Sequence, residues 1–116
     1  EARVMHNLQH HELIDELPAA LRRGLLSEKF SAHDIAELFG VHERTLHRRL
    51  RDAGTTFREE LDKARMDVSH QLLGNTNLPI SNIATVLGYA DSSGFIRAFR
   101  RWCGTCPSSW RNAAVE

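Results

Sequence analysis

Residues 83–99, IATVLGYADSSGFIRAF, restate in degenerate form an earlier stretch, residues 35–50, IAELFGVHERTLHRRL. At an offset of 48, Ile35, Ala36, Leu38, Phe39, Gly40 and Glu43 fall on Ile83, Ala84, Val86, Leu87, Gly88 and Asp91. One inserted residue then moves the offset to 49, and Leu46 and Leu50 meet Phe95 and Phe99. An internal copy of this kind restricts the chain to folds built from two equivalent modules. Each copy reads as a short amphipathic helix closed by glycine, a break of a few residues, and a second amphipathic helix, which is the helix-turn-helix pattern.

With 116 residues the chain holds one all-helical domain with a modest core, and no apolar run approaches membrane-spanning length. Formal net charge is zero, from 15 basic and 15 acidic residues. A zero sum opposes nucleic-acid binding only if the charges are mixed, and here they are segregated. Arg44, Arg48, Arg49, Arg51, Arg97, Arg100 and Arg101 lie in the two second helices, whereas Glu12, Asp15, Glu16, Asp34 and Glu37 lie elsewhere. Cys103 and Cys106 are the only cysteines. Their spacing alone, with no second pair for zinc and no strand pattern for a thioredoxin-like site, reads as structural or incidental.

Residues 1–9 show little periodicity and read as a fraying end or a linker, and His6, His10 and His11 read as surface histidines rather than metal ligands. Leu13, Leu17, Leu21 and Leu25 recur every four residues, with Ile14 and Ala20 beside them, as expected of a core helix ending near Leu26. Pro18 is expected to divide that segment into a turn and a helix that opens on the proline. Ser31 and Asp34 make a capping box for the next helix. In the candidate recognition helix, residues 44–53, Leu46 and Leu50 point inward and leave His42, Glu43, Arg44, His47, Arg48 and Arg51 outside. Arg49 lies nearer the buried side, where it snorkels or pairs with an acid. Thr55 or Thr56 caps the long helix of residues 56–73, and Pro79 opens the fifth. Asp91 or Ser92 caps the second recognition helix, on which Ser93, Gly94, Arg97 and Arg101 face outward. Gly94 there exposes backbone for close approach. Residues 107–111 read as a last turn with Trp110 folded back, and residues 113–116 as a tail.

These residues resemble the DNA-binding domain of the AraC/XylS family of bacterial transcription regulators. The second half carries IATVLGYAD and SSGFIRAFRRWCGTCPSSWR, with Gly88, Phe95, Phe99, Arg100, Gly104, Pro107 and the pair Trp110 and Arg111; the first carries IAELFGVHERTLHRRLRDAGTTFREELDKAR. The wording RTLHRRLRDAGTTF is most similar to members with long N-terminal sensor domains. Departures are His42 and Ala90, where the family usually has serine, and Cys106, where serine or threonine commonly precedes the proline. The resemblance implies an all-α, seven-helix bundle of two homeodomain-like helix-turn-helix modules joined by a long linker helix. Within a single DNA-binding domain over residues 1–116, the modules are residues 11–54 and 78–111, with the linker helix over residues 56–73. It also implies that the chain is a fragment of a longer protein, with an N-terminal effector or dimerisation domain.

The function expected from this reading is sequence-specific binding to a bacterial promoter, with two recognition helices in adjacent major-groove segments. A linker of roughly 27 Å at the standard helical rise suits modules set about one duplex turn, ~34 Å, apart. His42, Arg44, His47 and Arg48, with Thr45 beside them, are the base-edge or adjacent phosphate candidates of the first module, and Arg51 contacts phosphate. The second offers Ser92, Ser93, Gly94 and Arg97, with Arg101 on phosphate. The first helix is expected to read more bases, the second to add shape fit and phosphate anchoring. Expected partners are double-stranded DNA and RNA polymerase, with a small-molecule effector only through the N-terminal domain. No cofactor, metal, catalytic role or membrane is expected, and the expected location is the bacterial cytoplasm, on the nucleoid when bound. The alternative is a helical protein-interaction module whose basic faces bind acidic partners. An enzyme built on His47, Asp52 or the cysteines lacks paired carboxylates, a metal quartet or a nucleophile elbow.

Overall fold

The computed structural model describes the backbone of residues 2–115 and the side chains of residues 12–113. Among these residues the chain is all-α, with no strand. Its seven helices are α1 (Ala2–Leu26), α2 (Ala32–Leu38), α3 (Glu43–Asp52), α4 (Phe57–Asn75), α5 (Ile80–Val86), α6 (Ser92–Cys103) and α7 (Pro107–Val115). They fall into two compact units, Glu1–Ala64 and Arg65–Glu116, with the division inside α4.

In the first unit, α1 buries Leu13, Leu17, Ala20, Leu21 and Leu25. The break expected at Pro18 does not occur, because the proline lies inside a continuous helix. Its ring removes one backbone donor. The buried stripe runs through Leu17, Ala20 and Leu21 on either side of it, so core packing holds the backbone helical where local preference alone would end it. The same helix starts at Ala2, so residues 2–9 are helical rather than a linker. The side chains of His6, His10 and His11 lie outside the described residues.

The end of α1 is held by a tight backbone return in which Lys29 N–H donates to Gly24 O at 2.8 Å and Ser27 N–H to Arg23 O at 3.1 Å. A Cβ on Gly24 would stand 2.4 Å from Lys29 O, so only glycine fits there. The return also puts Glu28 at φ 61°, the one positive value at a described non-glycine residue. That conformation costs an L-residue about 1–2 kcal/mol. Glu28→Gly is therefore expected to raise stability by about 0.5–1 kcal/mol, once glycine's greater unfolded-state freedom is subtracted. Thermal unfolding followed by circular dichroism checks it, and an unchanged or lower Tm would contradict it.

The internal copy reaches the level of single hydrogen bonds. Helices α2 and α5 begin and end at positions 48 apart, whereas the residues capping α3 and α6, His42 and Asp91, stand 49 apart. The inserted residue thus lies in the turn. Gly40 and Gly88 take left-handed φ values of 68° and 88°. After them Val41 N–H donates to Ala36 O at 2.9 Å, and Tyr89 N–H to Ala84 O at 3.0 Å. Ser31 and Asp34 form the expected capping box, with Asp34 N–H on Ser31 Oγ at 3.0 Å. At the start of α4, Thr56 Oγ1 accepts from Glu59 N–H at 3.1 Å.

In the second unit the core comprises Val68, Leu73, Ile83, Ala84, Leu87, Phe95, Ala98 and Phe99. Two arginines tie it together through backbone carbonyls. Arg65 donates to Leu87 O at 2.9 Å, closing the end of α5, and its guanidinium lies 5.1 Å from the centre of the Tyr89 ring. Arg111 reaches three carbonyls: Leu72 O at 3.3 Å, Leu73 O at 3.1 Å and Leu78 O at 2.7 Å. The first two belong to the last turn of α4, where carbonyls lack helical partners.

Residues 107–111, expected as one turn before a tail, open a nine-residue helix that runs to Val115. Pro107 is buried at its first position, where its missing N–H removes nothing. Cys106 stands where a serine or threonine cap would, with its Sγ 3.1 Å from Ser109 Oγ. Trp110 folds back as expected: its ring stacks on His70 at 4.6 Å and meets Phe99 edge-on at 6.2 Å.

Candidate nucleic-acid interface

Helix α3 buries Leu46, Arg49 and Leu50, and α6 buries Phe95, Ala98 and Phe99. These stripes fix which side of each helix meets solvent. On α3 the exposed residues are Glu43, Arg44, His47, Arg48, Arg51 and Asp52, with Thr45 half-buried and His42 exposed just ahead of the helix. On α6 they are Ser93, Arg97, Arg100 and Arg101, with Ser92 and Gly94 half-buried. At 3.6 residues per turn, Arg44, Arg48 and Arg51 share one stripe, and Ser93, Arg97 and Arg100 share its counterpart 49 residues on. Arg100 is thus the equivalent of Arg51. The offset of 49 carried that signal, and the expected site of the second module omitted it.

The arginines divide into two kinds. Arg65 and Arg111 are spent on carbonyls, and Arg49 is buried at 7% exposure beside a surface hollow of about 290 Å³ that Glu12 and Glu16 also line. By contrast, the guanidinium groups of Arg44, Arg48, Arg51, Arg97, Arg100 and Arg101 have no hydrogen bond or ion pair to any described residue. Among the described residues, these groups therefore have no partner to give up.

The two helix starts differ. Asp91 accepts from Gly94 N–H at 3.1 Å, which settles the expected choice between Asp91 and Ser92 as cap. His42 occupies the equivalent position on α3 and makes no side-chain capping bond. Its imidazole is left at a shallow surface hollow of about 440 Å³ shared with His33, Glu37, Glu43 and Arg44. His42→Ser is expected to add a cap and raise stability by about 1 kcal/mol, read as a shift in the urea midpoint. A fall in stability would show that the imidazole has a packing role.

His47 is exposed but not loose, since its ring meets Phe57 edge-on at 6.3 Å. The expected open backbone at Gly94 is partly covered: a Cβ there would lie 3.4 Å from the Tyr89 ring. Among the described residues no three histidine, cysteine or acidic side chains converge on a metal position, and no helix is long and apolar enough to cross a membrane.

A family model described as a helix-turn-helix domain matches residues 35–113. The chain belongs to that family. The match runs from α2 into α7, so it takes in both turns and both basic helices. Among similar proteins, the HTH-type transcriptional regulator VqsM of Pseudomonas aeruginosa is 41% identical over 78 residues, which are 67% of this chain and 24% of VqsM. The chain thus spans about a quarter of the length of the curated relatives it matches. The crystal structure of the transcriptional regulator CdpR from the same species superposes with a TM-score of 0.63 at 48% identity, over 71% of this chain and 26% of that one. The DNA-binding domain of AdpA, crystallised with a target DNA, superposes with a TM-score of 0.70 at 25% identity, over 87% of this chain and 90% of that one.

Proposed function

We propose that the chain is the DNA-binding part of a bacterial transcription regulator of the AraC/XylS type, and that α3 and α6 are its two recognition helices. The reading is carried by the duplicated turn, which exposes two helices whose guanidinium groups have no partner among the described residues: Arg44, Arg48 and Arg51 on one, Arg97, Arg100 and Arg101 on the other. Free guanidinium groups match guanine edges and phosphate oxygens. The likeness to the regulators VqsM and CdpR, and to the DNA-bound domain of AdpA, supports the same reading.

In this account residues 11–54 and 78–111 act as modules on adjacent major-groove segments, with α4 as the linker. His42, Arg44, Thr45, His47 and Arg48 lie at or near base edges, with Arg51 on phosphate. Ser92, Ser93, Gly94 and Arg97 do the same work in the second module, with Arg100 and Arg101 on phosphate. Base reading falls more on α3, whose exposed face offers histidine and acidic groups as well as arginine. Helix α6 presents arginine with no acid between Asp91 and Glu116, which suits anchoring. The effector-binding and dimerising functions, and contact with RNA polymerase, belong to the intact regulator in the cytoplasm.

Titration of a labelled random duplex at several salt concentrations tests the reading. Affinity should fall steeply with salt, by about 0.9 log units per log unit for each phosphate neutralised. Binding that ignores salt would contradict it, and little affinity for any duplex would favour the module whose basic faces bind acidic partners.

A further inference from the structure

The two cysteines are not equivalent, and their differences are complementary. Cys103 ends α6 and Cys106 stands immediately before α7, at the position of its cap, with its sulfur hydrogen-bonded by Ser109 and only Gly104 and Thr105 between the two cysteines; Gly104 takes a left-handed conformation. Cys103 Sγ lies 3.4 Å from His70 Nε2, and both thiols are free. Cys106 Sγ, partly exposed, lies 3.1 Å from Ser109 Oγ and 3.6 Å from Ser108 Oγ.

The geometry points to Cys103 and Cys106 as a peroxide-reactive dithiol, in which Cys106 is attacked first, Cys103 resolves it with His70 as proton acceptor, and the resulting disulfide uncaps α7. Cys106 suits the first role because hydrogen bonds from the Ser109 side chain and backbone, then from Ser108, lower its pKa to about 7. Thiolate, the reactive form, is then abundant at neutral pH. Burial raises the Cys103 pKa, so that thiol needs a base to react, and the imidazole stands beside it.

The chemistry closes on peroxide alone. The Cys106 thiolate attacks a peroxide oxygen, the S–O bond forms as the O–O bond breaks, and hydroxide leaves to give a sulfenic acid. Cys103 Sγ, its proton passed to His70 Nε2, then attacks Cys106 Sγ. The S–S bond forms, the S–O bond breaks, and the second hydroxide takes up that proton. Two thiols are oxidised to one disulfide while hydrogen peroxide is reduced to two waters. Because the two sulfurs now face different neighbours, closing the bond pulls Cys106 away from Ser109 and Cys103 away from His70. It therefore loosens the helix that carries Trp110 and Arg111.

The test uses the full chain, dilute and at neutral pH, under graded hydrogen peroxide, with intact mass and thiol counting as readouts. The wild type should lose two hydrogen atoms and both thiols together, gain no oxygen, and recover with dithiothreitol; its oxidised form should melt several degrees lower. Cys103→Ser should stop at a sulfenic acid that dimedone traps on Cys106. Cys106→Ser, which keeps a capping side chain and so the fold, should react roughly tenfold more slowly. His70→Gln should leave the first step unchanged and slow disulfide closure. Independent oxygenation of each sulfur, cross-linking between chains, or a Cys106→Ser variant as reactive as the wild type would overturn the assignment. An oxidised chain as stable as the reduced one would overturn the uncapping of α7. None of these readouts involves DNA, so the outcome is separate from the binding proposal.

Discussion

Arg111→Ala is expected to cost about 3 kcal/mol and to lower the melting temperature of the second unit by more than about 10 °C, at roughly 4–8 °C per kcal/mol for a domain of this size. The side chain lies outside the basic faces yet makes three hydrogen bonds to Leu72 O, Leu73 O and Leu78 O. A hydrogen bond from a charged donor contributes about 1.5–3 kcal/mol, and the three are not additive because one guanidinium makes them all. Alanine would leave Leu72 O with only the Thr76 hydroxyl, remove the side-chain donor from Leu73 O, and free α7 from the segment ahead of α5. Arg111→Lys should recover only part of the loss, since one ammonium cannot span three carbonyls as the planar fork does. Thermal unfolding followed by tryptophan fluorescence reports on the region directly, because Trp110 is the neighbouring residue and stacks on His70. A loss below about 1 kcal/mol would mean that water replaces the guanidinium at these carbonyls.

The second large effect is expected on binding. Arg48→Ala and Arg97→Ala should each cost about 1–3 kcal/mol at the preferred site, and each should relax the preference at one base position. These are equivalent residues of the two modules, both exposed and both without a partner among the described residues, in the second turn of their helices. Arg101→Ala should act differently. A phosphate contact carries no sequence information, so affinity should drop for all duplexes alike and the salt slope should fall by about one. The contrast is read from anisotropy titrations of each variant against the preferred and a scrambled duplex. If Arg48→Ala and Arg97→Ala reduced both affinities equally, they would be anchors and base reading would lie elsewhere. None of the three is expected to destabilise the fold, because each side chain is exposed.

The repeat was legible in the sequence because its determinants are local and periodic. Aliphatic residues at helical spacing set the buried stripes, and Gly40 and Gly88 mark the left-handed turns. Polar residues at fixed distance before a helix mark Ser31 and Thr56 as caps. What was hidden depends on contacts distant in sequence or on packing that overrides preference. Pro18 looks like a helix boundary until the buried leucines on both sides are known. Glu28 has no residue type that announces a positive φ, since the constraint comes from the close return of Lys29 onto Gly24. The length of α7 was missed because a cysteine stands where a hydroxyl cap would be read, and because Arg111 anchors the helix through residues more than thirty positions away. At the interface, the outward faces followed from the stripes, but the covering of Gly94 by Tyr89 did not. That contact crosses the turn, and no periodicity encodes it.

On the proposed reading, two exposed helices of this chain, α3 and α6, read a defined DNA sequence. Selection of bound duplexes from a fully randomised pool, followed by sequencing, tests it most directly. Enrichment of one site with two conserved blocks about one helical turn apart is expected, each block degraded separately by Arg48→Ala or Arg97→Ala. A pool that stays random after repeated rounds, with binding that depends on salt but on no sequence, would contradict it.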